Sequence, residues 1–419
     1  MRPAPNTSTL PVTSVPHDKT YQSGLVGWLS LAQLISWGSI FYTFTLIMGP
    51  VERELGLSRV ESSLAFSLAL LAEGLMAYPV GRWIDRGHER AVMTGGSLLA
   101  GLCLLGHGWV ASKAGLYAVW VGLGFAMAGI LYSPVFAVVT RRFPHDFRRA
   151  IITMTFLGGL ASTVFIPLTA WLIADLGWRN AMMALAALHW LVCAPLHGLL
   201  LRNAPRRSAA HADAQTLKSS SLKQHVLSAP FLLIGLFVVL MMSVTVALPA
   251  HMVSLLREHG LSEGWVIAIP ASIGAIQVLG RLLLYFFERH FDLHLANRLI
   301  PCLMPLGLAA LLVAPWTGSA HGAVVIVFVV LWGIGNGMLT IVKGTAIAEY
   351  VNREHVASLN GALGLPLALA RSAAPLGLGL LWNPQTGYAT GLGVLLCTSV
   401  LGVGALVAAQ KRSSSKNYS

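Results

Sequence analysis

The chain has 419 residues, of which 55% are hydrophobic and only 11% charged, and its mean hydropathy is +0.70. Soluble domains carry roughly 25% charged residues, so a dispersed water-facing surface for a chain of this size is excluded and the sequence reads as an integral membrane protein. The formal charge of +12 fits basic loops facing an anionic leaflet and implies no nucleic-acid partner.

Residues 1–20, rich in Pro, Ser and Thr, are expected to form a disordered tail and not a cleaved signal peptide. Twelve apolar stretches follow, at 25–49, 62–81, 91–111, 115–139, 150–174, 181–201, 228–256, 265–287, 299–315, 322–348, 357–382 and 386–409. Each approaches or exceeds the roughly 20 residues a helix needs to cross a hydrocarbon core. None shows the apolar/polar alternation of barrel strands. The longest polar interruption, 202–227, separates six stretches from six. The expected organisation is a first bundle at 21–201, a cytoplasmic linker at 202–227, a second bundle at 228–409 and a cytoplasmic tail at 410–419.

Of the 28 Lys and Arg, five (Arg53, Arg59, Lys113, Arg179, Arg257) fall in the loops opposite the termini, and three (Arg281, Lys343, Arg371) fall inside stretches. The rest gather on the side of the termini and the linker, which the positive-inside rule places in the cytoplasm. A multi-pass protein of a bacterial-type inner (plasma) membrane is expected.

The two halves echo one another. Stretch two ends "PVGRWIDRGHER" and stretch eight ends "QVLGRLLLYFFERH"; both set Gly-Arg ahead of an acid-Arg pair, Asp85-Arg86 and Glu288-Arg289. The segment "GRWIDRGHER" at 81–90, with "GWR" at 177–179, resembles the signature of the major facilitator superfamily. The resemblance implies an all-α polytopic fold in which two pseudo-symmetric six-helix bundles rock about a central cavity. It also implies a gating role for Gly81, Asp85, Arg86 and Arg90, with Asp85 facing the start of helix eleven. Independently, Arg82, Arg86 and Arg90 against Asp85 and Glu89 are able to form an interfacial charge network.

"WGSIFYTF" at 37–44 and "QVLGR" at 277–281 are similar to the monocarboxylate and oxalate/formate transporter branch. The resemblance makes Arg281 the arginine that engages a substrate carboxylate. Gln277 stands where animal members of that branch have an aspartate, and helix one has no lysine in its membrane part.

Charges inside a bilayer are costly and face a wet cavity or a partner. Glu73, Arg281, Lys343 and Arg371 lie in stretches two, eight, ten and eleven, which in the resembled fold line or flank the cavity. At about 1.5 Å per residue, Arg371 and Glu73 sit near mid-depth, while Arg281 and Lys343 lie nearer the cytoplasmic end and are able to snorkel. Three cations against one anion favour an organic anion as substrate, held by a guanidinium through paired hydrogen bonds. Glu73 either neutralises Arg371 in the empty site or carries a coupled proton. Gln33, Trp37, Tyr42, Tyr132, His251 and Asn336 are further lining candidates, with Gln277 beside Arg281.

The four cysteines lack metal-ligand or redox spacing, and "GIGNG" at 333–337 reads as a helix-packing element. No catalytic motif, cofactor or metal site is expected. The sequence therefore predicts a monomeric secondary transporter, coupled to protons or an exchanged anion, for a small carboxylate-type anion. An exporter of amphiphilic compounds and a non-transporting membrane receptor are the alternatives.

Overall fold

The computed structural model describes residues 19–143, 147–202, 226–287, 293–351 and 356–416. The expected Glu288-Arg289 pair and most of the linker lie outside the described residues. Among the described residues, ten helices are long and apolar enough to span a membrane. One of them, Ala150–Leu200, is broken at Gly177 and supplies two crossings, and the 17-residue Gly364–Leu380 supplies another, which makes twelve.

In chain order these are α1 (Ser23–Leu55), α2 (Arg59–Asp85), α3 (Glu89–Gly106), α4 (Lys113–Arg142), α5 (147–176), α6 (178–200), α7 (Ala229–Glu258), α8 (Glu263–Phe287), α9 (Leu293–Val313), α10 (His321–Tyr350), α11 (Val356–Ala362 and Gly364–Leu380) and α12 (Ala389–Lys416). Residues 410–416, expected as tail, continue the last helix. Below, the linker side is the side on which Arg202 and Val226 lie, and the opposite side is its counterpart.

Local chemistry sets the breaks. Ser58 accepts from the Glu61 amide and donates its own N–H to the Glu61 carboxylate, a reciprocal cap that starts α2. Gly177, at φ 76 and ψ 160, occupies a conformation that favours glycine. The residues that follow it clamp the end of α1: the Trp178 indole donates to Glu54 at 2.5 Å, and Arg179 donates to Glu54 from Nε at 2.9 Å and Nη2 at 2.7 Å. The "GWR" segment thus joins α1 to α6 within the first half.

Helix α4 is interrupted at Leu131, which is extended. Pro134, four residues after Ile130, has no amide to offer that residue's carbonyl. Gln33 of α1 fills the place, its Nε2 donating to Ile130 O at 2.5 Å. Helix α1 itself carries a π-turn over Trp37–Tyr42. There Gly38 makes room for the Phe165 ring of α5, and Ser39 is bonded to His189 of α6 at 2.8 Å.

Apolar residues on the outer faces, including Leu191, Leu102 and Leu401, meet the bilayer, with exposed Trp28, Trp83, Trp109 and Trp316 near helix ends, where indoles favour the interface. The halves meet through α2 against α11, α5 against α8, and the opposite-side part of α1 against α7. Close approach between α8 and α10 depends on glycine: a Cβ on Gly333 would meet the Ile276 side chain, and one on Gly337 would fall on the Gln277 backbone. Gly337→Ala is therefore expected to cost about 1–3 kcal/mol through forced separation of the two helices. An unchanged unfolding midpoint of the purified variant would contradict this packing.

The basic turn after α2 differs from its expected network. Glu89 is fully buried and pairs with α4, at 2.5 Å from Arg142 Nη2 and 3.5 Å from Arg141 Nη1, while Arg90 donates to Gly198 O of α6 at 2.7 Å. Glu89 and Arg90 therefore fasten α3 to α4 and α6 inside the first half. An acid at the first turn of a helix also interacts favourably with its dipole.

Candidate functional site

The sequence-named residues fall into three groups, with Glu73 and Arg371 near the mid-depth of their helices and Arg281 and Lys343 nearer the linker side. The first joins the two halves. Arg371 Nη2 of α11 lies 3.5 Å from Glu73 Oε2 of α2, with side chains 25% and 15% exposed. The helices approach here because Gly74 has no side chain to meet Ala368. The separation exceeds the roughly 2.7–2.9 Å of a charge-assisted hydrogen bond, so the pair is a loose charge contact. Glu73 also lines a crevice of about 80 Å³ between α2 and α4 that passes Gly81 and Ile84 toward the linker side. Lys343 of α10 is half-buried and within electrostatic reach of Arg371.

The second group surrounds Arg281. Its Nη1 donates to Thr155 O of α5 at 2.5 Å and its Nε donates to Gly337 O of α10 at 3.3 Å. Tyr42 and Tyr132 are its electrostatic neighbours, and the Tyr132 ring lies 5.0 Å from Trp37 and 5.1 Å from Phe136. Two backbone carbonyls on opposite halves thus hold this guanidinium. The third group is a cavity of about 40 Å³ lined by Tyr42, Gln277 and Asn336 with Thr45, Ser162, Thr245 and Trp332. It has room for about one or two waters. Ser162 Oγ and Trp332 Nε1 are buried there without a hydrogen-bond partner. An indole N–H only donates, so the cavity presents an unmet demand for an acceptor.

The structure therefore brings together Glu73 with Arg371, Arg281 with Tyr132, and Tyr42 with Gln277 and Asn336. It places Gln33 and Trp37 among packing contacts of α1 with α4. Asp85 and Arg86 are exposed at the linker-side end of α2; the side chains that begin α11, which the resemblance sets opposite Asp85, lie outside the described residues.

A family model described as Major Facilitator Superfamily matches residues 29–375. The chain belongs to this superfamily. Its family and fold are those of transporters and not of enzymes. Among curated relatives, Monocarboxylate transporter 13 of Bos taurus is 27% identical over 376 residues, covering 84% of this chain and 82% of that protein. An uncharacterized 38 kDa protein in the 23S RNA operon of Thermoproteus tenax is 28% identical over 186 residues, 43% of this chain and 48% of that protein; the match spans about half the length of that relative. The solved structure of a bacterial homolog to the human lysosomal transporter Spinster, inward-facing and occupied, superposes with a TM-score of 0.72 at 19% identity, over 94% of this chain and 98% of that one.

One feature of this major facilitator chain was not legible from span charges alone. On the opposite side, Arg59 of α2 reaches across to the second half, where it donates to Tyr388 Oη at 2.5 Å, lies 3.8 Å from Glu258 and stacks 5.0 Å from the Trp382 ring. Its Nε lies 3.0 Å from Glu52. His251 is buried behind this contact. In sequence these residues read as ordinary loop charges and interfacial aromatics. A usable signal was the excess of acids at the ends of α1 and α7, Glu52, Glu54 and Glu258, on the side that carries few cations.

Proposed function

We propose that the chain is a secondary active transporter that moves a small organic anion, of carboxylate type, by alternating access coupled to protons. The observation that carries this reading is the Arg371–Glu73 contact. A guanidinium at mid-depth, held loosely at 3.5 Å by an acid of the other half, is a partner that an incoming carboxylate is able to replace. Glu73, once displaced into the crevice beside Gly81, is an unpaired carboxylate in a poorly solvated place, and protonation removes its cost. Anion and proton then travel together with little net charge. Lys343 strengthens the positive field, Arg281 bridges the halves, and the unpartnered donors of Trp332 and Ser162 suit carboxylate or hydroxyl oxygens on the rest of the substrate.

With the linker side cytoplasmic, as the distribution of Lys and Arg indicates, the conformation described is closed toward the exterior. The likeness to a monocarboxylate transporter supports the same substrate class, and Asp85, Arg86 and Arg90 would act at the cytoplasmic gate. The reading is tested by thermal unfolding of purified protein against a panel of solutes. A bound acid at about 100 times its Kd stabilises by about 2.7 kcal/mol, and this stabilisation is expected for one or more carboxylates and to vanish in Arg371→Gln. Stabilisation by amphiphilic cations alone would favour the exporter alternative.

A further inference from the structure

We infer that His251 is a proton-binding site that controls opening of the opposite side, with the closed state built around its neutral form. The inference rests on the chain's being an alternating-access transporter and is independent of which solute it carries.

The hydrogen bonds around the ring define its protonation. Pro375 O of α11, 3.0 Å from Nε2, is a carbonyl and only accepts, so Nε2 carries a hydrogen. Nδ1, 2.8 Å from Tyr388 Oη, is then the acceptor and takes the phenol's hydrogen. Tyr388 Oη in turn accepts from Arg59 Nη1 at 2.5 Å. The relay Arg59 to Tyr388 to His251 to Pro375 runs in one direction and crosses from the first half to the second. Ser63 Oγ of α2 donates to Arg59 O at 2.6 Å and lies 3.4 Å from Nε2.

A proton on Nδ1 reverses the middle of this relay. Tyr388 Oη would face donors from both His251 and Arg59, and its own hydrogen would lose its acceptor inside a residue that is only 3% exposed. The imidazolium would also add a second positive charge beside Arg59. That arginine already has its counter-charges in Glu52 at 3.0 Å and Glu258 at 3.8 Å, and Glu258 is further engaged by the Trp382 indole at 2.8 Å. Protonation therefore works against the contact between halves, so a proton arriving from the opposite side favours the state open to that side. The site thus matches side access to proton supply, separately from the Glu73 position.

The experiment uses full-length protein in nanodiscs without substrate, with the native cysteines replaced and spin labels at Ala111→Cys and Gln385→Cys, exposed opposite-side positions on the two halves. Distance distributions are read from pH 8.5 to pH 5. The long-distance population is expected to grow as pH falls, by up to about tenfold per pH unit for one linked proton. His251→Gln, which keeps a donor and an acceptor but does not titrate, is expected to remove the response, and Tyr388→Phe to flatten it. A native protein whose distances ignore pH, or a response retained in His251→Gln, would overturn the inference. If His251→Gln does not fold, the native series and Tyr388→Phe decide. Because no substrate is present, these outcomes leave the carboxylate reading untouched, and loss of carboxylate binding would leave the His251 inference untouched.

Discussion

Replacing Arg371 with glutamine is expected to lower carboxylate flux by about 30-fold to 3,000-fold. Loss of one member of a desolvated, hydrogen-bonded charge pair costs about 2–5 kcal/mol, and each 1.4 kcal/mol is about tenfold. The same replacement leaves Glu73 without its partner at 3.5 Å, so a drop in flux alone does not distinguish binding from folding. The double variant Arg371→Gln with Glu73→Gln separates them. Removing both charges leaves neither member of this pair without its counter-charge, so the double variant is expected to unfold near the native temperature and still fail to transport. Measured flux close to native in the single variant would make Arg371 a structural partner only.

A second large effect is expected at Glu89. Its carboxylate is fully buried between Arg142, whose side chain is 5% exposed, and Arg141, at 15%. Glu89→Gln removes the carboxylate charge that lies 2.5 Å from Arg142 and 3.5 Å from Arg141, and breaking such a buried pair costs about 3–5 kcal/mol. The loss is to be read as a fall in unfolding midpoint of the purified protein. Arg142 also donates to Arg202 O at 3.1 Å, so the damage extends to the end of α6, where the linker begins. Replacing Glu89 and Arg142 together by leucine and methionine is expected to recover part of the loss, since an apolar pair of similar size carries no desolvation cost, while Arg141, at 15% exposure, still loses Glu89. A loss below about 1 kcal/mol in Glu89→Gln would show that the cluster is hydrated and not a buried anchor.

The crossings were legible because the bilayer imposes one rule, long apolar helices, that composition displays directly. The packing role of Gly333 and Gly337 was readable for a related reason, since small residues at that spacing mark close helix approach, whereas the turn at Gly177 entered the sequence reading only as part of "GWR". The pairing of Arg371 with Glu73 was open in the sequence as one of two roles for Glu73, and depth counting alone placed the two at one level. The partners of Glu89 and Arg281 were not readable. Glu89 looked like a member of a surface turn because its neighbours in sequence are charged, whereas its partners Arg141 and Arg142 are about 50 residues away on α4. Arg281 looked like a free cation because the groups that hold it are backbone carbonyls of Thr155 and Gly337, which every residue has and no pattern marks. Gln33 looked like a lining residue, and its actual partner is visible only through the missing amide of Pro134.

The proposed displacement of Glu73 from Arg371 by an anionic substrate is open to test through uptake and efflux of a panel of labelled carboxylates, neutral solutes and cations in proteoliposomes under an imposed pH gradient. At least one carboxylate is expected to accumulate toward the alkaline side, collapse of the gradient to stop accumulation, and neutral solutes and cations not to follow. Transport of neutral or cationic compounds by the folded protein while no carboxylate moves would contradict the proposed displacement.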